Sequence, residues 1–148
     1  MRRSASDYAA YLLTRRLQSQ RELEEKLARK KYDPEEIASV ITRFKEVGLI
    51  DDQRFAKSYV ADKLEFARRG RWRISLELRK KGISKELIDE FVGSIEPEEE
   101  LRVARELLKG RQRAWANLDP QKRYVRAVGL LSRRGFSGNI IRQVLAKD

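Results

Sequence analysis

The apolar positions of this chain fall into helical stripes separated by capping signals. Tyr8, Tyr11, Leu12 and Leu13 predict a first helix from about Asp7 to Leu17. Ser19-Gln-Arg-Glu22 is a capping box that opens a second helix, on which Leu23 and Leu27 lie four apart on one face. Asp33-Pro34-Glu-Glu36 opens a third, with Asp33 as N-cap, Pro34 at the first helical position and carboxylates at the positive end of the dipole; Gly48 ends it. The plan repeats after Asp51. Phe55, Ala56, Tyr59, Val60, Lys63, Leu64 and Ala67 predict a long helix ending near Gly70, Ile74 and Leu78 form the core face of a middle helix, and Gly82 and Ser84 separate it from the next. A third round begins near Pro97, runs through Leu101, Ala104, Leu107 and Leu108, restarts at Asp119-Pro120, and finishes with Gly135 and Ser137 flanking the last turn. Nine helices are expected.

The three rounds are an internal repeat. Leu27-Ala-Arg-Lys-Lys-Tyr32, Leu78-Arg-Lys-Lys-Gly-Ile83 and Leu131-Ser-Arg-Arg-Gly-Phe136 read alike, and each is followed by a capping residue and then by Ile37, Ile88 or Ile141. A further apolar residue follows at Ile41, Val92 and Leu145. Leu27, Leu78 and Leu131 are spaced by 51 and 53 residues. The expected fold is all-α: three tandem three-helix repeats, over 1–51, 52–97 and 98–148, stacked into an elongated, curved array. No unit of this size is expected to hold its core alone, because only 41% of the 148 residues are hydrophobic against 39% charged.

Charge narrows the function. The net charge is +11, which implies a polyanionic partner or an acidic protein surface. Residues 1–51 carry 11 basic and 9 acidic side chains, 52–97 carry 11 and 8, and 98–148 carry 12 and 6. The positive surface therefore centres on the second and third units. With no cysteine and no histidine, disulfides, thiolate chemistry, imidazole acid/base catalysis and thiolate or imidazole zinc sites are excluded. No apolar run approaches the roughly 20 residues needed to cross a bilayer, so no membrane association and a cytoplasmic location are expected.

The candidate contact segment is Phe66-Ala-Arg68-Arg69-Gly70-Arg71-Trp72-Arg73, read as a connection between two helices. Its guanidinium forks suit phosphate, and the Trp72 indole offers a stacking face; the competing reading is a solvated turn with Trp72 packed inward. The basic pairs Lys30-Lys31, Lys80-Lys81 and Arg133-Arg134 sit at the last turns of the three middle helices. Dipole compensation accounts for each alone, whereas their recurrence could align them along one flank. Arg79 extends the cluster in the second unit. Asp51-Asp52 and Glu96-Pro-Glu-Glu-Glu100 fall at helix starts and read as caps rather than as a metal or nuclease site. Trp115 lies in the Arg-rich, weakly periodic stretch Lys109 to Asn117, either as a second contact or as a packed helix end. Tyr8, Tyr11, Tyr32, Phe44, Phe55, Tyr59 and Phe136 all read as core.

The stretch Gly48-Leu-Ile-Asp-Asp-Gln-Arg54-Phe55-Ala56-Lys-Ser-Tyr59-Val60, with Gly70 and Arg73-Ile74-Ser-Leu-Glu77-Leu78-Arg-Lys-Lys81-Gly82-Ile83, resembles the signature of RecX-family regulatory proteins. The first unit is similar to the opening of that family through Tyr11-Leu-Leu-Thr-Arg-Arg16, Glu22-Leu23, Lys26-Leu27 and Tyr32. The resemblance implies three tandem three-helix units and a non-enzymatic modulator that binds RecA, the RecA-DNA filament and single- or double-stranded DNA. It further implies that recombinase, ATPase and coprotease activities are typically inhibited, in DNA repair and the SOS response. No cofactor or metal is implied, and a monomer is expected. Two departures stand out: Lys31 where the family often has Gly, and Arg69-Gly70-Arg71 where it often has Gly-x-Gly. The expected contact residues are Arg68, Arg69, Arg71, Trp72, Arg73, Arg79, Lys80 and Lys81, assisted by Arg133 and Arg134. The alternatives are a helix-turn-helix-like DNA-binding protein acting without RecA and a purely structural helical-repeat adaptor.

Overall fold

The computed structural model describes residues 2–146. Among them are nine helices and no strand: α1 (Ala5–Arg15), α2 (Gln20–Arg29), α3 (Pro34–Glu46), α4 (Asp52–Glu65), α5 (Arg71–Lys80), α6 (Lys85–Gly93), α7 (Pro97–Lys109), α8 (Pro120–Arg133) and α9 (Gly138–Leu145). They pack in consecutive threes. The capping residues explain most of the boundaries. Ser4, Ser19, Asp51, Ser84, Asp119 and Ser137 each accept a backbone N–H of the helix that follows, worth about 1 kcal/mol apiece. The Ser19 to Glu22 capping box forms in full. Asp33 occupies its N-cap without a side-chain bond, so Pro34 and the acidic first turn carry that start.

Two boundaries differ from the sequence expectation. Because Ser4 caps it, α1 begins at Ala5, and it ends at Arg15 rather than Leu17. More consequentially, α4 stops at Glu65, five residues before Gly70, because Arg68 takes a left-handed backbone with φ +51. Arg71, Trp72 and Arg73 accordingly form the first turn of α5 instead of a connection.

All three middle helices end in the same Schellman turn. Tyr32, Ile83 and Phe136 donate their backbone N–H back to the carbonyls of Leu27, Leu78 and Leu131. Those three leucines are fully buried. The turn requires a left-handed residue, supplied by Gly82 (φ +80), Gly135 (φ +91) and, in the first repeat, Lys31 (φ +63). This register corrects the pairing of basic residues: the structural counterpart of Lys80-Lys81 and Arg133-Arg134 is Arg29-Lys30, with Lys31 standing where the others have glycine.

The apolar core is divided in two. Leu23, Leu27, Val40, Ile41, Phe44 and Ile50 close a cluster within the first repeat, so that unit does enclose a core of its own. The second and third repeats share a larger one, in which Phe55, Ile74 and Leu78 are continuous with Val103, Leu131, Phe136 and Ile141. Leu17, between α1 and α2, reaches over to the shared cluster. Phe44, Phe55 and Phe136 are buried as expected, and Tyr8, Tyr32 and Tyr59 are half-buried; Tyr11 is exposed at 39%, stacked on Tyr8 with Arg3 over its outer face.

The repeats join through their middle helices, head to tail. At the first junction the Ser19 hydroxyl at the start of α2 donates to the Lys81 carbonyl at the end of α5 (2.7 Å), and Asp52 accepts from the Gln20 amide (2.9 Å). At the second, Gly70 N–H at the start of α5 donates to the Arg134 carbonyl at the end of α8 (2.7 Å), Trp72 N–H donates to the Gly135 carbonyl (3.2 Å), and buried Glu100 of α7 accepts from the Arg71 amide (3.0 Å). In each case the positive end of one helix dipole abuts the negative end of the next, and a carboxylate from the following repeat's first helix caps the first helical amide. Among the described residues, no hydrogen bond or ion pair links the first repeat to the third, so the three form a linear array.

Candidate nucleic-acid and filament interface

The basic pairs of the second and third repeats divide their labour. The second member, at the C-cap, reaches back to the preceding repeat. Lys81 Nζ lies 2.9 Å from Glu22 Oε2, and Arg134 Nη1 donates to the Ala67 carbonyl at 2.8 Å. The first member, Lys80 or Arg133, is exposed and makes no hydrogen bond or ion pair through its side chain among the described residues. Dipole compensation serves both, but only the C-cap position is close enough to the neighbouring repeat to become a tie.

The arginines of the central segment split the same way. Arg69 Nη1 donates to both oxygens of Glu77 at 2.9 Å, and Arg73 Nε donates to the same carboxylate at 3.1 Å. Arg73 also reaches the Arg133 carbonyl (3.3 Å). Arg68 lies 3.7 Å from Glu106, beyond hydrogen-bond range, and its Nε is buried without a partner. Arg71 and Arg79 make no side-chain hydrogen bond or ion pair among the described residues, and Trp72 is 68% exposed on the first turn of α5. Of the ten expected contacts, Trp72, Arg79, Lys80 and Arg133 are thus exposed, and Arg71 is half-buried without a side-chain partner among the described residues. Arg73, Lys81 and Arg134 reach across a junction, Arg69 is engaged with Glu77 within its own repeat, and Arg68 sits between the two groups.

Glu77 is the hub of that internal network. Burial opposes its ionisation, but donation from Arg73, Tyr59 and Arg69 holds its pKa below the ordinary carboxylate value. Tyr59 donates to Glu77 at 3.0 Å, and burial together with that carboxylate pushes the phenol up to about 12. Lys81 lies over the Tyr59 ring at 5.6 Å and links this hub to Glu22. Burial disfavours the Glu22 carboxylate as well, yet Arg16, the Ser19 amide and Lys81 together hold it down at about 2. The sequence marks Glu22 as the closing residue of a capping box, but its tie to Lys81 spans 59 residues and has no local signal.

Arginines converge most densely where the second and third repeats meet. A cavity of about 620 Å³ is lined by Arg68, Arg69, Arg73, Arg111 and Arg134, with Phe66 and Glu106 also contributing to its wall. Burial, and after it the charges of Arg111, Arg73, Arg69 and Arg133, press the Arg134 pKa below the usual arginine value. Arg111 comes from the Arg-rich stretch after α7 and is the contributor that the sequence reading did not single out. Trp115 of that stretch is partly buried against the shared core, which matches the packed-end alternative. Asp51 caps α4, and Glu96 caps α7 in a box with Glu99. Among the described residues no cluster of acidic side chains could hold a metal ion, and no helix is long and apolar enough to cross a membrane.

Comparison with known proteins places this architecture. The first three-helix domain of RecX matches residues 5–44, the second 51–91 and the third 98–145. The chain is 39% identical over 142 residues to the regulatory protein RecX of Streptomyces coelicolor, covering 93% of this chain and 75% of that protein. It is 34% identical over 149 residues to the regulatory protein RecX of Mycolicibacterium smegmatis, covering 97% and 79%. The crystal structure of RecX from Lactobacillus salivarius superposes with a TM-score of 0.81 at 22% identity, over 97% of this chain and 93% of the other. A second crystal structure, of a regulatory protein RecX, gives 0.85 at 23% identity, over 97% and 72%. With all three domains matched in order and relatives at 34% and 39% identity over three quarters or more of their length, this chain belongs to the RecX family of regulatory proteins.

Proposed function

We propose that this protein binds the RecA-DNA filament and, without catalysing a reaction itself, lowers the recombinase, ATPase and coprotease activities of RecA in DNA repair and the SOS response. The observation that carries the reading is the division of the cations. Arg73, Lys81 and Arg134 are spent on joining repeats and Arg69 on Glu77 within its own repeat, while the side chains of Arg71, Arg79, Lys80 and Arg133 are left without a partner among the described residues. Several unpaired cations spread over joined repeats suit a polymer of repeating charge better than a compact ligand. Membership of a family of regulatory proteins supports the assignment to regulation.

The test is RecA-catalysed ATP hydrolysis and strand exchange on single-stranded DNA, with and without this protein, across a salt series. Both activities should fall with added protein, and the effect should weaken steeply as salt rises. A protein that leaves both unchanged, yet gives a sequence-specific duplex footprint without RecA, would favour the helix-turn-helix-like alternative.

A further inference from the structure

The cavity between the second and third repeats differs from the rest of the basic surface in being concave, crowded and bordered by an aromatic ring. Five arginines line it, against the single carboxylate of Glu106; Glu77 compensates Arg69 and Arg73 from behind. Even with both acids counted, positive charge is in excess by about three. Such an excess is held together here by the packed repeats, since Arg134 is fixed by the Ala67 carbonyl and Arg73 by the Arg133 carbonyl. The Arg68 guanidinium carries a buried Nε without an acceptor, and its left-handed backbone directs the residue away from the helix it follows. An anion entering the cavity would relieve the crowding of positive charge around Arg134.

Phe66 lies at this cavity and is 81% exposed, the most exposed large apolar side chain among the described residues. It is the C-cap of α4, beyond the last turn that packs against the core. A phosphate alone has no use for a phenyl face, and a duplex keeps its bases stacked inside, out of reach of a ring beside a hollow. A single strand presents successive phosphates to arginines and an unstacked base to an aromatic face together.

We infer that this cavity is a site for single-stranded nucleic acid, its arginines taking backbone phosphate and Phe66 stacking on an adjacent base. The inference deepens the filament reading above and rests on it, for it assigns the strand contact to one place on the array. Tyr124 on α8 is exposed outside the cavity and serves as a control.

The experiment measures binding of the isolated protein to a labelled oligothymidylate and to a hairpin duplex with the same number of phosphates. Phe66→Ala, at an exposed position that folding does not use, should weaken single-strand binding about tenfold and change duplex binding less than about twofold. Phe66→Trp should restore it, and Tyr124→Ala should leave both unchanged. Arg111→Gln should weaken single-strand binding and reduce its log-log salt slope by about 0.7. Equal losses on both nucleic acids, or no loss from Phe66→Ala, would overturn the inference. Competition by inorganic pyrophosphate as effective as by oligothymidylate would assign the cavity to free phosphates instead. If the two variants relieve RecA inhibition without altering strand binding, the cavity holds an acidic segment of protein. Inhibition of RecA is read separately, so its absence beside an intact strand effect would sink the filament reading alone.

Discussion

The two junctions of the array are built to one plan with different materials. Both set the head of one middle helix on the tail of the next, cap the first amide with a carboxylate from the following repeat, and send a C-cap cation backwards. At the second junction the contact is backbone to backbone. Gly70 N–H meets the Arg134 carbonyl directly, and a β-carbon on Gly70 would lie 2.5 Å from the Gly135 carbonyl oxygen. That close approach lets the apolar clusters of the two repeats merge. At the first junction a serine hydroxyl takes the place of the backbone amide, a Glu22 to Lys81 ion pair supplies the tie, and the clusters stay separate. Where polypeptide backbones touch, the neighbours become one folding unit. Where side chains mediate, they remain two units in register.

The largest expected effect breaks the close approach. Gly135 is left-handed, and a β-carbon there would lie 2.3 Å from Arg73 Cβ. Gly135→Ala should cost about 3 kcal/mol or more in urea unfolding, because overpacking adds to backbone strain. A cost near 1 kcal/mol, the strain alone, would show that the junction is not tightly packed.

The next weakens the first junction. Glu22 carries the tie to Lys81 and to Arg16, and Glu22→Gln should cost about 1–2 kcal/mol while leaving the shared core folded. Acid should act similarly. Its folded pKa of about 2 lies below the ordinary 4.5, so the stability it contributes is complete above about pH 4.5 and fades as pH falls toward about 2. Glu100 at the second junction has the opposite sign. Burial raises its pKa, so its linked contribution is greatest in acid and declines as pH rises through its folded value. Small-angle scattering on acidification should therefore show the first repeat loosening before the second and third separate. Simultaneous loss of all three would contradict the comparison.

Smaller changes sharpen the distinction between local turn and junction. Lys31 occupies the same left-handed turn position as Gly135 but has no preceding repeat to abut. Lys31→Gly should stabilise thermal unfolding by about 1 kcal/mol, the pure backbone gain. The amount by which Gly135→Ala exceeds it measures the junction itself. Smallest is Glu100→Gln, which keeps an acceptor for the Arg71 amide and removes a charge that is 97% buried by its 3% exposure; stability at neutral pH should stay within about 0.5 kcal/mol of the parent or rise.

The repeat, the nine helices and most caps were legible because each rests on residues a few positions apart. Ser19 with Glu22 and Asp119 with Pro120 state their own role. The end of α4 was not legible. Phe66 and Ala67 continue the apolar pattern, and the residue that turns the chain is Arg68 in a conformation usually signalled by glycine. The basic character of the second and third units was visible as charge, but which cations are free depends on Glu77, Glu22 and Glu106 arriving through the fold. Asp52 capping α2 and Glu100 capping α5 act across 32 and 29 residues, and a carboxylate at a helix start looks the same whether it serves its own helix or another.

The central claim is that the outward cations act on the filament while the engaged ones hold the array. It is tested most directly by the salt dependence of binding to RecA-coated single-stranded DNA, comparing the parent with a variant carrying Arg71→Gln, Arg79→Gln, Lys80→Gln and Arg133→Gln. The account predicts a log-log slope shallower by about 3, from four cations at roughly 0.7 to 0.9 each, with unfolding stability nearly unchanged. An unaltered slope would contradict it.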